Sequence, residues 1–336
     1  MEQISKVITV EEHFMSEKVN GEYQKLLEKK NLTLAQKAKA NFIQQFVAKG
    51  EITEVGEKRL EFMETHGIDC QILSYGNNSP SYLDPKQAVV LCQMANEKLA
   101  GYCKQYPGNF YGFAVLPVGD TGAALTELER AVKTLGLKGI IFNGAYQKSY
   151  FDEDRFFPIF EMAQELKVPV MLHPGEVPTE VAKTYYQGSW PVAVANVFAG
   201  HGIGWHYDAW VQYMRMILSG IFDRLPNLQL ICGHWGELLS YYFNRMDDML
   251  PAALTGLLHN ISYYFKNNMY ITPSGMFYED DFLFCRNKVG AERILWATDY
   301  PYCKPENSKM YLEKIKLPFE EKEKIAYLNA ENLFGI

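Results

Sequence analysis

Glu11, His13, His173 and Asp299 close three short apolar runs, ITVEEH, VPVMLH and ILWATD. Carboxylate and imidazole donors together suit a divalent cation such as Zn²⁺ or Mn²⁺. Glu11 and His13 stand two residues apart, so on an extended strand both face one side. Glu12, between them, faces away as a supporting acid. Taken alone, the pair reads more readily as a surface glutamate and a capping histidine at a strand end. With His173 ahead of Pro174-Gly175 and Asp299 closing a third run, a single metal centre is the expectation.

His234, in CGHWGE, is open to three roles: ligand, general acid/base or structural histidine. Glu237, three residues on at the opening of a helix, would accept a hydrogen bond from that imidazole and stabilise its cation, which suits proton transfer. Its plain alternative is a carboxylate placed favourably at a helix N-terminus. Asn143 closes KGIIFNG and either aims its amide at a substrate or turns the chain with Gly144. Lys138 lies at the start of that run, not at the end where a lysine bridging two metals would be needed, so one ion is expected. His206 reads equally as structural or cavity-lining; His66, His201 and His259 read as surface or structural.

To bring such distant residues together the chain needs converging strand ends. Strands are expected near 7–11, 70–74, 111–115, 138–143, 168–173, 229–234, 269–272 and 293–298. Helical patterns lie between them, at 85–105, 120–135, 153–166, 207–224, 237–249, 277–288 and 319–334. Such alternation implies parallel βαβ units, and eight of them suggest a closed (β/α)₈ barrel, an α/β fold whose C-terminal strand ends form one functional face. A doubly wound open sheet is the competing topology. Residues 1–336 read as one domain with two long additions. Residues 14–69 form a charged helical insertion after the first strand, and 174–206 a loop rich in Gly, Pro and aromatics after the fifth. That loop suits a pocket wall for a flat apolar ligand or a contact with a second subunit.

Composition narrows the classes. A hydrophobic fraction of 48% in 336 residues supports a sizeable core, and a net charge of −7 leaves no basic footprint for nucleic acid. No apolar run reaches the roughly 18 residues of a membrane span, and the first residues lack signal-peptide character. Six cysteines without a CxxC pair read as reduced thiols of a cytoplasmic protein.

EEHF, GIDCQILS (67–74), FAVLP (113–117), FNG (142–144), LHPG (172–175), SGIFDRLPNLQLICGHWGE (219–237), ILWATDYPY (294–302) and NAENLF (329–334) occur in this order along nearly the whole chain. Together they resemble the amidohydrolase superfamily, in its amidohydrolase 2 branch. That branch is similar to the γ-resorcylate, 5-carboxyvanillate, 2,3-dihydroxybenzoate and aminocarboxymuconate-semialdehyde decarboxylases. The resemblance implies non-oxidative decarboxylation of a small aromatic carboxylate by one divalent metal, with no organic cofactor, in a homodimer or homotetramer. It makes Glu11, His13, His173 and Asp299 the ligands, Asp299, His234 and Glu237 the catalytic groups, and Arg59, Arg245 and Tyr302 substrate contacts. The loop SYGNNSPSYLD after the second strand departs from the resorcylate pattern, which leaves the particular substrate open. The same site could instead hydrolyse an amide or lactone with a metal-activated water; a non-catalytic metal or ligand-binding barrel is the third reading.

Overall fold

The computed structural model describes residues 3–28, 44–76, 78–147, 149–303 and 307–336. Seven strands follow one another in a single sheet, β1 (Ile8–Phe14), β2 (Cys70–Tyr75), β3 (Phe110–Ala114), β4 (Gly139–Asn143), β5 (Val170–His173), β6 (Leu230–Cys232) and β7 (Met269–Ile271). Each pairs in parallel with the next. All of β1 and β2 is buried on both faces, as parallel strands covered by helices must be.

The eighth run, 293–298, corrects one expectation: it does not form a regular strand. Leu295 N donates to Ile271 O of β7 (2.9 Å), and Val10 N of β1 donates to Trp296 O (2.8 Å). Single bonds thus tie this segment between the two edge strands, and the sheet curls back on itself. The reason is chemical. The N–H groups of Thr298 and Tyr300 go to the Glu12 carboxylate, at 2.7 and 3.1 Å, rather than to a ladder. The Thr298 hydroxyl donates to Glu12 as well, at 2.7 Å. Glu12 is fully buried, its carboxylate turned to the 298–300 backbone rather than to the site.

Helices cover the outside at Pro85–Gln105, Thr121–Lys133, Phe157–Glu165, Gly204–Leu218, Leu239–Met249 and Glu279–Val289, close to their expected places. Their starts are readable locally: Pro85 sits in a first turn where no N–H partner is needed, and Asp120 Oδ1 accepts from Ala123 N at 3.0 Å. The helix 121–133 buries Ala124, Leu128 and Ala131 on one face. The C-terminal helix is broken into Phe319–Glu323 and Asn329–Phe334 by a wider turn.

Of the first insertion, Glu17–Glu28, 44–48 and Glu57–Thr65 are helical, and 29–43 lie outside the described residues. The loop 174–206 contains the short helical segments Thr179–Val181 and Val192–Val197. All six cysteines are free, four of them buried. Among the described residues no helix is long and apolar enough to cross a membrane.

Candidate metal centre and acid/base cluster

The C-terminal ends of the strands gather the expected donors. His13 Nε2 and Asp299 Oδ1 lie 3.0 Å apart, and His173 Nε2 lies 3.6 Å from Glu11 Oε1. The His13 and His173 rings meet edge to face, with centroids 5.2 Å apart. Glu11 reaches this position through a β-bulge. The β1–β2 register shifts between Val10 and Glu12, leaving Glu11 unpaired with φ +69°. Strand alternation alone therefore does not set its direction; the bulge does. Gly233 leaves room for this carboxylate, since a Cβ there would stand 2.7 Å from Glu11 Oε1 and displace it.

Each donor is oriented from behind. His13 Nδ1 bonds Ser74 Oγ at 2.9 Å, and His173 Nδ1 donates to Pro174 O at 2.7 Å. That second bond fixes the tautomer and leaves the Nε2 lone pair of His173 toward the site. Glu11 Oε2 accepts from Thr272 Oγ1 at 2.8 Å and from Ser274 Oγ, which frees Oε1. The remaining atoms, Glu11 Oε1, His13 Nε2 and Asp299 Oδ1, are buried without a hydrogen-bond partner. His13 and Asp299 are near each other but not aligned as donor and acceptor. Buried polar atoms are rarely left unsatisfied, and an anionic and imidazole set that converges without bonding itself fits a cation. His13, His173 and Asp299 together have the spacing of a metal-holding group.

Protonation preferences agree. Burial, helped by the neighbouring His13 and His234, holds His173 well below the usual histidine range, so its imidazole is neutral and able to ligate. Burial pushes the Glu11 carboxyl up to about 7, with Asp299 adding and His234 opposing.

Beside these donors lies a second cluster. His234 Nδ1 bonds Glu237 Oε1 at 3.0 Å, and His206 Nδ1 bonds Glu237 Oε2 at 2.8 Å. The backbone that presents it is left-handed through four residues, His234 (φ +46°), Trp235 (+58°), Gly236 (+76°) and Glu237 (+56°). Each non-glycine residue there costs on the order of 1–2 kcal/mol. Trp235 holds the turn: its N donates to Thr272 O (2.7 Å), its Nε1 to Met276 O (2.8 Å), and its ring packs on Phe282. Glu237 therefore precedes the helix, which begins at Leu239, rather than opening it. Burial opposes the His234 cation, but the Glu237 carboxylate, then Glu11 and Asp299, outweigh it and raise the imidazole to about 9. Burial would raise Glu237, yet the two imidazoles beside it bring its carboxyl below the ordinary value.

Both clusters open on a cavity of about 430 Å³, walled by Trp205, Tyr302, Met276, Ile203 and Leu238 among others. Tyr302 stands on the wall with its ring 5.1 Å from that of His13. His206 also lines the cavity, and His201 sits exposed at its rim. His66 and His259 stack on Phe62 and Tyr263, away from it.

The other expected substrate contacts are placed differently. Arg59 is buried behind β1, donating to His13 O (2.6 Å), Glu51 O and Gln71 Oε1 and stacking on Tyr300; it is not part of the cavity wall. Arg245 is exposed on the helix 239–249, also off that wall. Asn143 ends β4 beside His173, with Nδ2 3.5 Å from its Nδ1 and Oδ1 buried without a partner. Lys138 Nζ reaches Gly335 O, away from the site. Sequence reasoning missed Ser74, Thr272 and Ser274; the only signal was a hydroxyl residue at or just after a strand end.

Residues 49–336 match the family model described as amidohydrolase. The chain is 32% identical over 301 residues to gamma-resorcylate decarboxylase of Polaromonas sp., covering 86% of this chain and 90% of that one. An amidohydrolase from Staphylococcus aureus superimposes with a TM-score of 0.86 at 41% identity, covering 98% of this chain and 100% of that one. 5-Carboxyvanillate decarboxylase from Novosphingobium aromaticivorans, solved with manganese and 4-hydroxy-3-methoxy-5-nitrobenzoic acid, gives a TM-score of 0.90 at 28% identity over 98% and 96%. The ordered motifs, the curled parallel sheet and a match running to the last residue all point one way, and the chain belongs to the amidohydrolase family.

Proposed function

We propose that this chain is a carboxy-lyase that removes CO₂, without oxidation, from a hydroxylated aromatic acid, using one divalent metal, Mn²⁺ or Zn²⁺. The observation that carries the reading is the pairing of partnerless donors with a separate imidazole–carboxylate cluster in one cavity. Two of the relatives are named as decarboxylases of such acids, and one of these was solved with manganese and a nitrobenzoic acid. Glu11, His13, His173 and Asp299 would hold the ion, which supplies a positive centre for the substrate carboxylate and an adjacent phenolic oxygen.

The chemical difficulty is that the electron pair of the broken C–C bond needs a place to go. Adding a proton to the carboxylate-bearing ring carbon makes the ring an electron sink; loss of CO₂ then returns the pair to the ring. Asp299, beside the cavity, delivers that proton from a carboxyl oxygen. His234 Nε2 exchanges the phenolic proton, and Glu237 stabilises the imidazolium from Nδ1. Tyr302 contacts the substrate from the wall and Asn143 from the end of β4, while Arg59 steadies His13 through its carbonyl. Trp205, Tyr302 and Met276 give the cavity an aromatic and apolar wall that suits a flat ring.

Exposed Tyr185, Trp190, Val192 and Phe198 of the 174–206 segment are assigned to contact with a second copy, giving a homodimer or homotetramer. A monomer at micromolar concentration in sedimentation would remove that assignment. The activity is tested by incubating metal-loaded protein with hydroxybenzoates, amides and lactones. CO₂ release from a hydroxybenzoate supports the proposal; a new carboxylate from an amide or lactone replaces it with hydrolysis.

A further inference from the structure

We propose that His206 is a positioning residue for the acid/base imidazole of His234, acting through Glu237. The inference rests on the decarboxylase reading of the site, but its geometry stands apart from the metal donors. Trp205 Nε1 lies 2.9 Å from His206 Nε2. An indole N–H can only donate, so Nε2 of His206 must accept, and the ring proton must sit on Nδ1. From there it donates to Glu237 Oε2 at 2.8 Å. The other carboxylate oxygen accepts from His234 Nδ1 at 3.0 Å, and the remaining nitrogen of His234 is free to face the cavity.

The chain of donors runs in one direction, Trp205 to His206 to Glu237, and meets the His234 donor at the same carboxylate. Two consequences follow. With one oxygen held by His206, the carboxylate plane cannot rotate away, so Oε1 stays opposite His234. A proton on His206 Nε2 would point at the indole N–H of Trp205, so the indole bond holds the ring in the tautomer that donates to Glu237. The two rings pack at 4.4 Å between centroids, which fixes their mutual placement. Glu237 is fully buried in its side chain, and without His206 one of its oxygens would lose its hydrogen-bond partner.

The test compares His206→Phe, which keeps a ring but no donor, with His206→Asn, whose amide nitrogen falls near the position of Nδ1. His206→Phe should lower kcat by about 10–100-fold, the range for partners that orient a working imidazole, with KM and metal content unchanged. His206→Asn should restore most of that loss. In a Glu237→Gln background, His206→Phe should cost nothing further, because the two act as one unit. Nitrogen NMR of isotope-labelled histidine in the wild-type protein should place the His206 proton on Nδ1. Unchanged kcat in His206→Phe, fully additive losses with Glu237→Gln, or a proton on Nε2 would each overturn the proposal. If the wild type releases CO₂ from no hydroxybenzoate, the decarboxylase reading fails, and the NMR tautomer alone decides the role of His206.

Discussion

Two clusters of histidine and carboxylate share one cavity and are built on opposite principles. In the first, Glu11, His13, His173 and Asp299, every supporting bond comes from behind, and three donor atoms at the front have no hydrogen-bond partner. In the second, His206, Glu237 and His234, the front atoms bond one another, and both carboxylate oxygens are satisfied. His13, His173 and Asp299 of the first set, and all three residues of the second, have the donor types and spacing of a metal group. Donor identity therefore does not separate a metal site from a proton-handling one; what separates them is whether the donors have already spent themselves on each other. On the proposed reading the first set takes a cation, whereas the second already satisfies its own hydrogen bonds.

The strongest way to break this division is Asp299→Asn, which keeps an oxygen for the cation and offers no transferable carboxyl proton. It should retain metal and lower kcat by about 10²–10⁴-fold, the contribution of one acid/base group. In D₂O the wild-type reaction should leave a single deuterium on the carbon that lost its carboxylate. Near-normal turnover in the metal-loaded variant would move the proton donor to His234.

A smaller effect is expected from the hydroxyls that turn Glu11. Thr272→Val combined with Ser274→Ala should weaken divalent-metal affinity by about 10–100-fold, read by competition with a chromophoric chelator. The same pair of changes should leave the tautomer of His206 unaltered. Equal affinity in the double variant would show that Glu11 Oε1 faces the site without their help.

Glu12→Gln tests the support beneath Asp299 of the first cluster. It weakens the clamp on Thr298 and Tyr300, and should cost about 1–3 kcal/mol in denaturant unfolding while metal still binds. A full-strength fold in this variant would mean that packing of Trp296 and its neighbours, not Glu12, holds the 294–300 segment against β1.

The gentlest probe is the pH dependence of stability. Glu11 in the metal-free protein is raised from 4.5 to about 7, so the folded state keeps its proton where the unfolded state has lost it. That contribution is complete below pH 4.5 and is lost as pH rises through about 7. His234 is raised from 6.5 to about 9, so its contribution is complete below pH 6.5 and lost as pH rises through about 9. Metal-free protein should therefore lose stability steadily from pH 5 to pH 9, and His234→Asn should flatten the upper half of that curve. Mn²⁺ should flatten the lower half by holding Glu11 ionised. A metal-free curve that rises over this interval would contradict both assignments.

Much of the site was legible because donors at strand ends carry a double signal, an apolar run and a chemistry that such a run does not need. Glu11, His13, His173 and Asp299 all show it, and the chain brings them together. The supporting groups carried no such signal. Ser74, Thr272 and Ser274 are common residue types whose role depends on which strand lies beside which. The left-handed turn at 234–237 was illegible because His, Trp and Glu rarely adopt positive φ; it is imposed by the anchoring of Trp235. The eighth run, ILWAT, has the composition of a strand, yet Glu12 claims the N–H of its Thr298 and that of Tyr300 just beyond, which no local pattern reveals. Arg59 looked like a surface charge or a substrate clamp and is instead a buried brace on the His13 carbonyl.

The division between the clusters is tested most directly by metal stoichiometry, measured by elemental analysis after manganese loading and gel filtration. Wild type, Glu237→Gln and His13→Ala are compared. The account predicts one ion per chain in wild type and in Glu237→Gln, and none in His13→Ala. Two ions per chain in wild type, one of them lost in Glu237→Gln, would show that the second cluster holds metal too and would contradict it.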